Sequence, residues 1–147
     1  MINIEKIQAE KPLRELLDFS LINIDKPSGP TSFQVSQFIK NSLNLKKTSH
    51  MGTLDPQVTG VLPITLGRTC RLAEYFMHRD KTYVGIMRLH EDISISQLKK
   101  LMSSFEGIIT QLPPVRSRVK RSPRKREVKQ FKFLEKKDKD VLFEAEV

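Results

Sequence analysis

The chain has 147 residues, 38% of them hydrophobic, with one cysteine, three histidines and a formal net charge of +9 from 26 Lys and Arg against 17 Asp and Glu. That is enough apolar material for one core and excludes disorder throughout; the lone Cys70 excludes an internal disulfide, and the scattered histidines offer no metal-ligand spacing, so no metal site is expected. The positive balance predicts a polyanionic partner, with RNA, DNA and an anionic surface equally compatible with charge alone, and no apolar run reaches signal-peptide or membrane-span length, so an intracellular soluble protein is expected.

Residues 1–19 alternate charged and apolar positions and read as an N-terminal extension, with the folded domain expected over 20–147. Ser20 to Asp25 reads as a short strand, which the two prolines and the glycine of Lys26-Pro27-Ser28-Gly29-Pro30 stop. Thr31 and Ser32 can cap a helix in which Val35, Phe38, Ile39 and Leu43 recur at helical spacing. Asn44 to Thr48 is then a basic loop leading to His50. After a turn at Asp55, the apolar run Val61 to Leu66 fits a buried strand ended by Gly67, and Leu72, Ala73 and Phe76 suggest a short helix.

Lys81 to His90 alternates as a strand, with Tyr83, Gly85, Met87 and Leu89 on one face and Val84, Ile86 and Arg88 on the other. Ser94 and Gln97 match a capping box that opens a helix with Ile95, Leu98, Met102 and Phe105 as its stripe. Two strands close the chain: Glu127 to Glu135, a charged turn over Lys136 to Asp140, and a return strand in which Val141, Phe143, Ala145 and Val147 alternate.

Two segments carry candidate chemistry. From Arg116 to Arg126 the run RSRVKRSPRKR holds seven Lys or Arg and no acid, a density that repels itself unless phosphates are present. Arg116, Arg118, Lys120, Arg121, Arg124, Lys125 and Arg126 are therefore expected to contact an RNA backbone, the alternative being a solvated loop or a localisation signal. Engagement of about five phosphates predicts a log-log salt slope of about −3.5 on a single strand. The second segment is His50-Met51-Gly52-Thr53-Leu54-Asp55-Pro56, which sets one acid in a Gly- and Pro-shaped turn where a carboxylate can meet a substrate, or where it serves only as a turn former.

The stretches KPSGPTS (26–32), SHMGTLDPQVTGVLPITLGRTCRL (49–72) and KTYVGIMRLH (81–90) resemble, in order and spacing, the TruB and dyskerin family of RNA pseudouridine synthases. The likeness extends from about Pro12, where PLRELLDFSLINIDKP looks like the archaeal and eukaryotic, guide-RNA-dependent branch, through LPPVRSRVKR; the lack of a longer acidic insertion after the tyrosine strand points to the same branch. The resemblance implies an α+β domain with a mixed, largely antiparallel sheet flanked by helices, spanning 20–147 as part of a catalytic domain. It implies no cofactor, and as partners tRNA, guide RNA, rRNA and small ribonucleoprotein proteins. Asp55 would be the nucleophile that attacks the target uridine or its ribose, so that the base is released, rotated and rejoined through carbon. Tyr83 would stack on the extruded uracil and serve proton transfer, His50 would position the nucleotide, and Lys26 would support the catalytic loop or contact phosphate. The location implied is cytoplasmic, or nucleolar in a eukaryote.

Family members continue into a segment with a Gly-Thr-Tyr-Ile-Arg type motif, whose arginine pairs with the catalytic carboxylate, and then into an RNA-gripping PUA domain. Neither occurs in these 147 residues. The resemblance thus implies a fragment, or a split half needing a C-terminal partner in trans, in preference to a decayed copy, because Asp55, Tyr83 and His50 are all retained. It also implies a Val141 to Val147 strand exposed at a sheet edge. An RNA- and protein-binding module without turnover is the alternative function.

Overall fold

The computed structural model describes residues 4–113, 115 and 120–147, which form two compact units, Met1–Arg79 and Asp80–Val147. In the first unit the helices α1 (Ile4–Glu10) and α2 (Leu13–Asp18) lead into β1 (Phe19–Lys26), followed by α3 (Ser32–Ser42), β2 (Thr48–His50), β3 (Gly60–Gly67), a 3-10 turn over Arg68–Leu72 and α4 (Ala73–Met77). The strand order is β1-β3-β2, all antiparallel, with Phe19 opposite Gly67 and Lys26 opposite Gly60.

Leu62, Ile64 and Leu66 on β3 are buried against Val35 of α3 and Leu45, with Ile22 and Ile24 from β1, Ile39 and Leu43 packing around them. Leu17 of α2 joins this core, so the segment read as an extension contributes to the fold. The Thr31 cap forms as expected, its hydroxyl accepting from Gln34 N while the Gln34 side chain answers the Thr31 N–H. The helix stripe differs from expectation in one place: Phe38 is 68% exposed. At about 100° per residue, the face centred on Val35 and Ile39 leaves Phe38 on the flank. Buried Ser32 and Ser36 complete the inward face instead, and Ser36 meets Thr48 by paired hydrogen bonds of 2.9 and 3.0 Å. The basic loop expected over 44–48 gives way at Thr48 to β2, whose three residues are too few to display alternation.

In the second unit β4 (Thr82–Arg88) is followed by α5 (Ile95–Ser103), β5 (Gly107–Gln111), β6 (Arg124–Val128), β7 (Gln130–Lys137) and β8 (Asp140–Glu146). Here the order is β4-β8-β7, again antiparallel, and β5 pairs with β6 as a separate ribbon. The expectation that the last strand lies exposed at an edge is thereby corrected, because β8 pairs along both sides and forms the centre of its sheet. The capping box of Ser94 and Gln97 is present, and Leu98 and Met102 pack on Val141, Met87, Phe131, Phe133 and Phe143; Ile95 and Phe105 stay half exposed beside this seam.

The strand expected over 127–135 is in fact two, β6 and β7, interrupted at Lys129. A register shift between Phe133 and Glu135 and a two-residue turn at Asp138 and Lys139, with Asp138 at φ 52°, then carry the hairpin into β8. Arg124, Lys125 and Arg126 accordingly lie in a strand and not in a loop. Among the described residues no helix is long and apolar enough to cross a membrane. The α+β class with largely antiparallel sheets holds in both units.

Gly67 closes β3 at φ 54° and ψ −120°, and a Cβ there would come within 2.5 Å of the Asp18 carbonyl oxygen. Gly67→Ala is therefore expected to lower stability by about 3 kcal/mol, from strain and collision together, read as a shift of the urea midpoint.

Candidate functional site

The Asp55 loop is the connection between the antiparallel strands β2 and β3, so His50 enters it opposite Ile64 and Gly60 leaves it opposite Lys26. Asp55 and Pro56 take the positions that a turn favours: the Val58 N–H donates to the Asp55 carbonyl at 3.0 Å, with proline supplying the preset φ at the second position. The Asp55 carboxylate is exposed at the tip. Met51 is buried and its N–H donates to the Pro63 carbonyl at 2.9 Å, anchoring the entry of the loop to β3, while Gly52 turns the chain at φ 112°.

Both neighbours of Asp55 are pinned from below by the segment 26–32. The buried Ser32 hydroxyl donates to the Leu54 carbonyl at 3.1 Å and accepts from the Leu54 N–H at 2.9 Å. Pro56 offers its carbonyl to the Gly29 N–H at 2.8 Å and to the Lys26 ammonium at 3.1 Å. The same ammonium donates to the carbonyls of Pro27 at 2.9 Å and Val58 at 2.8 Å, so its three N–H bonds are all used. The phosphate contact considered for Lys26 is corrected by this geometry: the side chain is fully buried and its charge clamps the loop. Ser32 and Gly29 are the residues that reading the sequence did not assign to the site. The spacing of KPSGPTS ahead of the loop was the available signal, but a serine at the start of a helix is ordinarily a cap.

His50 is half-buried, with Nδ1 2.8 Å from the Gly52 carbonyl. A carbonyl oxygen only accepts, so Nδ1 carries the proton and Nε2 is left as the ring's other hydrogen-bonding atom. His50, Asp55 and the supporting Lys26 thus belong to one loop and its cradle in the first unit. Tyr83 belongs to the second unit, near the start of β4, 43% exposed and opposite Ala145.

The basic residues also lie in the second unit, apart from Arg116 and Arg118, which fall outside the described residues. Lys120 and Arg121 are exposed, and Lys120 offers its carbonyl to Arg124 at 3.1 Å. On β6 the strand period sends Arg124 and Arg126 to one face, with Ile109 and buried Val128, and Lys125 to the other beside Thr110. The charges of Arg124, Lys125 and Arg126 are therefore divided between two faces of a ribbon. Among the described residues no group of three or more His, Cys, Asp or Glu side chains is placed to hold a metal ion.

Residues 40–96 of this chain match the sequence pattern described as TruB family pseudouridylate synthase (N terminal domain). Among its relatives is the probable tRNA pseudouridine synthase B of Nanoarchaeum equitans, 47% identical over 133 residues that cover 90% of this chain and 38% of the relative. The protein of the same name from Pyrococcus furiosus is 44% identical over 94% of this chain and 41% of its own length. Among solved structures, the crystal structure of a Cbf5-Nop10-Gar1 complex superposes with a TM-score of 0.88 at 44% identity, covering 95% of this chain and 42% of the matched one. A structure of an H/ACA RNP bound to a substrate RNA containing 2'-deoxyuridine gives 0.82 at 39% identity, with 94% and 40% covered. The chain spans about two fifths of the length of these relatives.

Ser32→Ala leaves both backbone groups of Leu54 without their hydroxyl partner, and is expected to speed amide exchange at Leu54 and Val58 by about tenfold or more, read by hydrogen–deuterium exchange. Lys26→Met, which strands three carbonyls, is expected to destabilise by about 3 kcal/mol in urea unfolding.

Proposed function

We propose that this chain supplies the nucleophile loop and an RNA-contacting ribbon of an RNA pseudouridine synthase, acting on the T-loop uridine of tRNA or on guide-RNA-directed rRNA sites. One observation carries the reading: Asp55 stands exposed at the tip of a loop whose two flanking residues are held by Ser32, Gly29 and Lys26. A carboxylate held in this way is preorganised to attack, since a nucleophile whose backbone is already ordered loses little freedom on reaching the reactive geometry. The adduct it forms can depart again because a carboxylate is also a leaving group. The released base rotates and rejoins through carbon, a rearrangement that needs no cofactor.

Tyr83 presents a half-exposed ring for stacking on the extruded uracil, and its hydroxyl serves proton transfer. His50, with Nδ1 committed to Gly52, offers Nε2 to position the displaced nucleotide. Lys120, Arg121, Arg124, Lys125 and Arg126 neutralise backbone phosphates, and Arg116 and Arg118 are assigned to the same task. Nop10 and Gar1 accompany the similar solved chain, and small ribonucleoprotein proteins of that kind are proposed as partners here.

The test uses the full-length protein, a tRNA T-arm transcript, and parallel reactions with guide RNA and partner proteins. Asp55→Ala is expected to reduce pseudouridine formation by roughly 1,000-fold or more while RNA affinity stays within about twofold. Undiminished product from Asp55→Ala overturns the nucleophile assignment, and a protein that binds RNA without any Asp55-dependent product is the binding module instead. Lys125→Ala and Arg126→Ala are each expected to flatten the salt slope by about 0.7 on single-stranded RNA, measured as affinity against salt concentration.

A further inference from the structure

The pairing of β4 with β8 sets Gly85 opposite Phe143 and Tyr83 opposite Ala145. The two-residue strand period then puts Tyr83, Gly85 and Met87 on the face that carries Val141, Phe143 and Ala145. The Phe143 ring leans across β4: a Cβ on residue 85 would lie 2.8 Å from its Cζ and 3.1 Å from its Cε1, too close for an undisturbed ring. On the β7 side Phe131 holds it edge to face, with 5.3 Å between centroids and an interplanar angle of 87°. Phe143 also packs on the buried cluster of Leu98, Met102 and Val141, as does Met87.

A methyl group at residue 85 would push this ring against packed atoms towards β7, α5 and Met87. Along β4 towards Tyr83 the face is open, since Tyr83 is 43% exposed and has only an alanine across from it. We propose that Gly85 and Phe143 form a positioning pair for Tyr83: the missing Cβ seats the Phe143 ring across β4 and so keeps clear the ledge on which Tyr83 presents its ring to an extruded pyrimidine. This rests on the stacking role given to Tyr83 above and extends it to two apolar residues that carry no reactive group.

These 147 residues contain two tyrosines and no tryptophan, so emission is read on this chain in a Tyr75→Phe background, where Tyr83 is the single emitter, and turnover is read on the full-length protein. In that background Gly85→Ala is expected to change Tyr83 emission and its quenching by acrylamide. It is also expected to slow single-turnover pseudouridine formation in a T-arm RNA by roughly 10- to 100-fold, with the RNA Kd within about twofold. Adding Phe143→Leu, which returns the space, is expected to restore the emission, and the rate to within about threefold. An unchanged Tyr83 signal in Gly85→Ala, or a double variant that recovers neither signal nor rate, overturns the pair. A wild-type protein without any pseudouridine formation counts against the function proposed above, and the emission measurements still decide whether the pair sets Tyr83.

Discussion

An ammonium group taken out of water must find oxygen acceptors for all three of its N–H bonds, or the desolvation outweighs anything its burial contributes. Lys26 meets that condition with the carbonyls of Pro27, Pro56 and Val58, two of which belong to a loop about thirty residues further along the chain. The consequence is mechanical. Lys26 ends β1 and pairs with Gly60, so the loop between β2 and β3 is tied to the sheet at its exit and near its tip by one residue. Ser32 and Gly29 add neutral hydrogen bonds on either side of Asp55, and the proline at 56 removes a torsional freedom that would loosen them. The backbone on both sides of Asp55 is therefore held although the residue itself is exposed to solvent.

The second unit solves a different problem with apolar contacts. Its sheet is built on β8, which pairs with β4 on one side and β7 on the other, so Phe143, the aromatic of β8, has a cross-strand neighbour on each side. Phe143 lies between Phe133 and Gly85, its ring edge to face with Phe131 further along β7 and reaching over the vacant side chain of Gly85 on β4. Tyr83 lies on the same face beyond the end of this packed row, which is why its ring is half exposed though it belongs to an amphipathic strand.

Much of this was legible from residue patterns, because the patterns are local. The cap at Thr31 and the capping box of Ser94 and Gln97 are set by residues a few positions apart, the β1 and β3 strands by short apolar runs between turn formers, and the Asp55 turn by proline and glycine at fixed offsets. What escaped is non-local. The ribbon of β5 and β6 is stabilised by pairing across more than ten intervening residues, and its second strand is so rich in charge that composition alone describes a loop. β2 is too short to have a period, and Ser36 is buried because it meets Thr48 and not because of its own polarity. Lys26 was left between support of the loop and a phosphate contact for the same reason: burial of a charge depends on acceptors that the sequence does not place.

By itself, the sequence determined the α+β class, the turn that carries Asp55, the strand that carries Tyr83, the basic run and the family they resemble, since each depends on residue type and spacing over a few positions. The tertiary structure alone decided that Lys26 clamps the loop and does not face solvent, that Ser32 holds Leu54, that Arg124, Lys125 and Arg126 are divided between the faces of a ribbon, and that β8 is a central strand. Each of those is a hydrogen-bonding or register relation between residues far apart in the chain, and such relations exist only once the backbone has brought their donors and acceptors together.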